Sequence, residues 1–193
     1  MAYLIDRLQK SLAKEGLAAR SDASRAWLRA KVKTLKPTAE SLMKDRDSMR
    51  SKTMMGRMYF YFYDPKGKDT LPYYDRFPLV IPIERYPDGF LGLNLHYLHP
   101  KIRLILLDKL STTITDDDYT DKSRLQLRYD TLQGLSTAYE AAPCLKRYLF
   151  THIESRFLEI PASEWDIAAL LPVESFAKKG SSYVWRRIHK RSE

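Results

Sequence analysis

His96 with His99, Cys144, and the run Asp116-Asp117-Asp118 are the groups in this sequence that could do covalent or metal chemistry. The two histidines are three apart, but a strand end and the turn before Pro100 separate them, and no third ligand such as a cysteine lies near. Clustered carboxylates can hold magnesium for phosphodiester cleavage. Consecutive aspartates on one loop rarely converge on a point, however, and a nuclease recruits acids from separate strands, so 116–118 reads as a solvated loop. Cys144 has Lys146 and Arg147 beside it, cations that would lower a thiol pKa, yet no thiol-enzyme signature surrounds it, and it reads as a small packed hydrophobe. His152 is expected to be a hydrogen-bonded structural histidine and His189 to be solvated. Neither a Walker-type phosphate loop nor a dinucleotide fingerprint occurs. The expectation is a non-enzymatic chain with no metal, no cofactor and no small-molecule substrate.

The remaining chemistry is grip. Tyr183, Trp185, Arg186, Arg187, Lys190 and Arg191 interleave aromatic rings with cations near one end of the chain, a composition that neutralises phosphates and stacks on bases. A helix docking Val184, Trp185 and Ile188 while its charges face water explains the same residues, and the two readings are compatible. Arg25, Arg29, Lys33 and Lys36 form a second cationic stripe, open to three readings: a phosphate-tracking surface, a solvated face, or an arm wrapping an acidic neighbouring protein. Tyr73, Tyr74 and Arg76 offer another surface, although aromatic residues around Pro72 are more readily explained as packing the loop onto a sheet. Charge by segment supports basic appendages on a folded body. Of the net charge of +9, residues 1–57 carry +8 and 178–193 carry +5, leaving −4 for 58–177.

The elements that must position these groups follow from pattern. Leu4, Leu8 and Leu12 at four-residue spacing predict a helix ending near Gly16. Ser21-Asp22 starts a second that runs to Lys36, and Thr38 caps a third running to about Met49. The aromatic run Tyr59–Tyr63 predicts a strand closed by the turn Asp64–Lys68. Residues 77–83 and 90–97 predict a hairpin across the loop Arg85-Tyr86-Pro87-Asp88-Gly89, with Pro78 and Pro82 making the first strand an edge or locally irregular. Helices are expected from Pro100, over Asp121–Tyr139 and over Pro143–Ser155. A strand is expected at Phe157–Ile160, and a short helix at Trp165–Leu170 opened by a capping box at Ser163-Glu164-Trp165-Asp166. The fold class is α+β: a small antiparallel sheet built on the hairpin at about 77–97 and covered by helices. The expected organisation is a basic helical extension over 1–57, a body over 58–177 and a basic tail over 178–193.

A single cysteine, and the charge at Asp6 that interrupts the start of the chain, predict a non-secreted protein, and no run is long and apolar enough for a membrane. Four blocks then carry a resemblance: Phe62–Val80, Gly89–Leu98, Arg156–Pro161 and Glu164–Ala168. In this order they resemble the DNA-end protector family of T4-like tailed phages, over roughly residues 58–190. The resemblance implies a minor virion protein, made in the host bacterial cytoplasm. Such a protein sits at the end of the double-stranded genome in the head and neck region, shields it from host exonuclease and contacts other virion proteins. Two rivals remain open at this point: a baseplate or tail component that touches only protein, and a nuclease acting at head completion.

Overall fold

Alternation along the aromatic run divides the molecule. Met58 and Phe60 face one side of a sheet, Tyr59 and Tyr61 the other, and all four are fully buried. The computed structural model describes residues 4–44, 47–112 and 142–189. The loop with Asp116–Asp118, the helix expected over Asp121–Tyr139, and Lys190 with Arg191 lie outside these residues.

The fold is α+β. Strands β1 (Met49–Arg50), β2 (Met58–Phe60), β4 (Leu79–Tyr86), β5 (Gly89–Asn94), β6 (Leu145–Leu149) and β7 (Phe157–Ile160) form one antiparallel sheet in the order β1-β7-β2-β4-β5-β6. Strands β3 (Tyr74–Asp75) and β8 (Phe176–Ala177) pair separately. The expected hairpin is β4-β5, closed by Pro87-Asp88, with Tyr86 opposite Gly89. Strand β4 is internal; Pro78 falls just before it and Pro82 sits at a register shift between Pro82 and Glu84, so of the two expectations for this strand local irregularity is the one realised.

Helices cover one face. They are α1 (Leu4–Lys14), α2 (Asp22–Leu35), α3 (Ala39–Leu42), α4 (Pro100–Thr112), α5 (Trp165–Leu170) and α6 (Ser181–His189). Helix α5 is the hub. All six of its residues are buried, its small Ala168 and Ala169 permit close approach, and α1, α2 and α4 pack against it. Ile5, Leu8, Leu12, Leu28 and Val32 of α1 and α2 therefore share one core with Phe60, Leu79, Leu93 and Leu158 of the sheet. The opposite face is a layer of rings from Tyr59, Tyr61, Tyr63, Phe90, Tyr148 and Phe157, most of them meeting edge to face.

Several expected elements differ. The strand expected over 90–97 ends at Asn94 and gives way to a 3₁₀ turn at Leu95–Tyr97, and the one expected over Tyr59–Tyr63 ends at Phe60. The helix capped by Thr38 stops at Leu42, and Met49-Arg50 pairs with Leu158 and Phe157 instead, burying Met49 in the core. Residues 143–155 are not a helix. A 3₁₀ turn at Ala142–Cys144 leads into β6, whose register on β5 is enforced by closeness at Gly89, where an added Cβ would collide with the Tyr148 carbonyl oxygen. Helix α5 has the expected bounds but no side-chain cap, because a 3₁₀ turn at Ala162–Glu164 precedes it and the Asp166 carboxylate is turned to Arg25.

Candidate nucleic-acid interface

Beneath α6 lies a buried polar centre. The pairing of β3 with β8 brings in Asp75, whose Oδ2 accepts from Asn94 Nδ2 at 3.1 Å and meets His96 Nδ1 at 2.8 Å. Its Oδ1 accepts from the Phe77 and Ser175 amides. Asn94 Nδ2 also donates to the Tyr148 hydroxyl at 3.0 Å. Beside this centre Arg103 pairs with Glu174 at 2.5 Å, both side chains buried. The Asp75–His96 pair is the arrangement that orients a general base, but both side chains are sealed from solvent, and in this setting the pair ties together the segments that bear Asp75, His96 and Ser175.

Burial alone would push the Asp75 carboxyl up, but the His96 ring and the donors from His96, Asn94 and Phe77 outweigh it and hold it below its ordinary value. A carboxylate with a depressed folded pKa contributes stability that is complete above the unfolded value near 4 and is lost as pH falls through the folded one. Urea midpoints are therefore expected to decline with acid from about pH 5 downward, and Asp75→Asn to flatten that decline while lowering the neutral-pH plateau. A variant profile as steep as that of the parent would show that other carboxylates set the slope.

Helix α6 is seated on this centre by Val184 and Ile188, both buried, and by Trp185. The Trp185 indole N–H donates to the His96 carbonyl at 2.8 Å, and its ring packs on Arg103 and His99. Trp185 is thus the anchor of the helix. Outward from it, Tyr183 stands 36% exposed in a cluster of rings with Tyr73, Tyr97 and Phe176, at centroid distances of 5.1–6.4 Å. Cations frame the rings. Lys179 Nζ lies 5.1 Å from the Tyr183 ring centre, Lys146 Nζ lies 4.4 Å from that of Tyr97, and the Arg187 guanidinium donates to the Tyr183 hydroxyl at 3.2 Å. That hydrogen bond lowers the Tyr183 pKa and raises that of Arg187. Arg186 is exposed on the same helix. The loop bearing Tyr73 is tied to the approach of α6 by Lys178 Nζ, which donates to the carbonyls of Lys68, Asp69 and Leu71.

The structure therefore brings Tyr183 and Arg187 together with Tyr73, leaves Arg186 exposed on the same helix, adds Lys146, Lys179, Tyr97 and Phe176, and assigns Trp185 to anchoring. The second stripe divides. Arg25 is seven residues before Val32 and three before Leu28, which places it on the apolar face of α2. There it forms a two-pronged pair with Asp108 of α4 at 2.5 and 3.0 Å and meets Asp166 of α5 at 2.7 Å. The Asp108 hydrogen bonds, with those to Asp166, raise its pKa against the cost of burial. Arg25 is a clamp between three helices, while Arg29, Lys33 and Lys36 remain exposed one step around the helix. Lys179 could have been taken from the tail by its adjacency to Lys178. Lys146 could not, because its place depends on reading 145–149 as a strand.

The other candidates resolve plainly. Burial pushes the Cys144 thiol up to about 12 despite Lys146 and Arg103, the opposite of an activated nucleophile. His152 donates from Nδ1 to the Asp64 carbonyl at 2.8 Å, the structural role expected, although in a 3₁₀ turn. His96 points inward and His99 outward. Among the described residues no group of three or more His, Cys, Asp or Glu side chains could hold a metal ion, and no helix is long and apolar enough to cross a membrane.

Set beside known families, the chain matches over residues 3–192 the family model described as Phage T4 terminal DNA protecting protein. Neither the curated proteins nor the solved structures contain a match.

Proposed function

The chain belongs to the phage terminal DNA protecting protein family, and from that premise we propose that it is a virion protein of the head and neck that binds the end of the packaged duplex without catalysis. The observation that carries this reading is the cluster of cations around the exposed ring of Tyr183, drawn from α6, the residues just before it and β6. Lys146, Lys179, Arg186 and Arg187 supply a sequence-independent phosphate grip, and Tyr183 an aromatic face for an exposed terminal base pair. Seating α6 on a buried polar centre fixes this surface before DNA arrives, which lowers the ordering cost of binding. Lys190 and Arg191 extend the same basic segment, and Arg29, Lys33 and Lys36 give α2 a second exposed row for DNA or for an acidic neighbour in the particle.

The test is a competition at fixed salt between a linearised plasmid and the same plasmid as a covalently closed circle. Linear DNA is expected to displace a labelled blunt duplex at concentrations that scale with its ends, and the circle only weakly. Equal competition per base pair would leave general DNA affinity and refute end binding.

A further inference from the structure

A pocket of about 360 Å³ opens on the aromatic face of the sheet, at the hairpin end. Its volume lies within the roughly 300–1,000 Å³ of small-ligand sites. Three stretches distant in sequence build it: Ser51, Lys52 and Thr53 after β1, Arg85 near the end of β4, and Phe150 and Phe157 after β6 and at the start of β7. Phe157 is locked into the ring layer, 5.1 Å from Tyr61, whereas Phe150 packs 6.0 Å from Phe90 and remains 36% exposed. Arg85 stands opposite Phe90 in the register, so its side chain rises from this same aromatic face while that of Glu84 takes the other side. Lys52 and Arg85 are both exposed, and neither has an ion-pair partner among the described residues.

Two uncommitted cations, the hydroxyl side chains of Ser51, Thr53 and Ser155, and a partly exposed ring around one concavity match the two halves of a nucleotide, an anion and a flat base. We propose that this pocket takes the terminal nucleotide of a DNA strand, with its phosphate on Lys52 and Arg85 and its base against Phe150. The proposal rests on the end-binding function and deepens it. The rings around Tyr183 and Tyr97 lie beyond the Asn94 end of β5 and the pocket at the other end, with roughly 13 Å of strand between Phe90 and Asn94. One surface holds the duplex, and the other removes the frayed strand end from reach of an exonuclease. Stacking on a side-chain ring reads no sequence, as an end binder requires.

The experiment measures equilibrium binding of 5′-phosphorylated dithymidylate, and of equal-length duplexes with open or hairpin-capped ends. It compares the full chain with Lys52→Ala/Arg85→Ala and with Phe150→Leu, which keeps bulk and removes the flat ring. Each variant is expected to lose roughly tenfold or more in dithymidylate and open-end affinity, while capped-duplex affinity stays within about twofold. Thermal melts matching the parent establish that the fold is retained. The proposal is overturned if the parent does not bind dithymidylate, if the variants bind it as the parent does, or if capped and open duplexes lose affinity equally. Variant-sensitive dithymidylate binding by a parent that fails to prefer open ends would keep the pocket and reject end binding.

Discussion

Arg103→Ala is expected to lower stability by about 3–5 kcal/mol, the cost of leaving a buried partner charge uncompensated. The Arg103 side chain is fully buried, pairs with Glu174, and donates to the carbonyls of Leu98, Ala169 and His96 at 2.8, 3.0 and 3.4 Å. Burial lowers its pKa, opposed by Glu174. Removal therefore strands the Glu174 carboxylate and takes the guanidinium from the Leu98 and Ala169 carbonyls, leaves the His96 carbonyl to the Trp185 indole alone, and opens a cavity under Trp185. For a chain of this size the loss corresponds to a fall in Tm of roughly 6–20 °C. Arg103→Met/Glu174→Met is expected to recover much of it, since an apolar pair of similar bulk removes the stranded charge. Calorimetry checks both, and a single variant within about 1 kcal/mol of the parent would contradict the account of the α6 foundation.

The second large effect concerns DNA. Lys179→Ala/Arg186→Ala/Arg187→Ala is expected to weaken duplex binding by on the order of 10²–10³ near 0.1 M salt and to make the slope of log affinity against log salt shallower by about 2.7, some 0.9 for each phosphate no longer neutralised. The three side chains are exposed, so the melting temperature should hold. Tyr183→Ala separates the two parts of the mechanism: about tenfold weaker binding to open ends with the slope unchanged, because stacking releases no counterions. A salt series on each variant measures these quantities. An unchanged slope in the triple variant would place the grip elsewhere.

Much of the architecture was legible in local pattern. Ser21 and Lys36 bound α2 as expected, and Lys36 takes the left-handed φ of 46° that ends the helix. The hairpin is read from its turn, and β7 and α5 have the expected bounds. What failed is decided by partners far away in sequence. Leu145–Leu149 carries as much helical as strand character and becomes β6 because β5 offers it an edge, with glycine at the closest approach. Met49-Arg50 leaves its helix for β7 for the same reason.

The site was half legible on similar grounds. Alternating rings and cations over 183–191 mark a candidate binding segment, of which α6 carries Tyr183, Arg186 and Arg187 outward while Trp185 turns in to anchor the helix. Charge alone groups Arg25 with the α2 cations, whereas its spacing to Leu28 and Val32 puts it on the buried face, and Asp166, which holds it, lies 141 residues on. The ring cluster joins Tyr73, Tyr97, Phe176 and Tyr183 from four separate stretches, an assembly that no local pattern encodes.

Digestion of linear duplex DNA by a processive exonuclease, with and without saturating protein, tests the central claim most directly. The account predicts that digestion of ends is delayed by the parent chain and proceeds at nearly the bare-DNA rate with the Lys179, Arg186 and Arg187 triple variant. Ends consumed at the bare-DNA rate under saturating parent protein would contradict it.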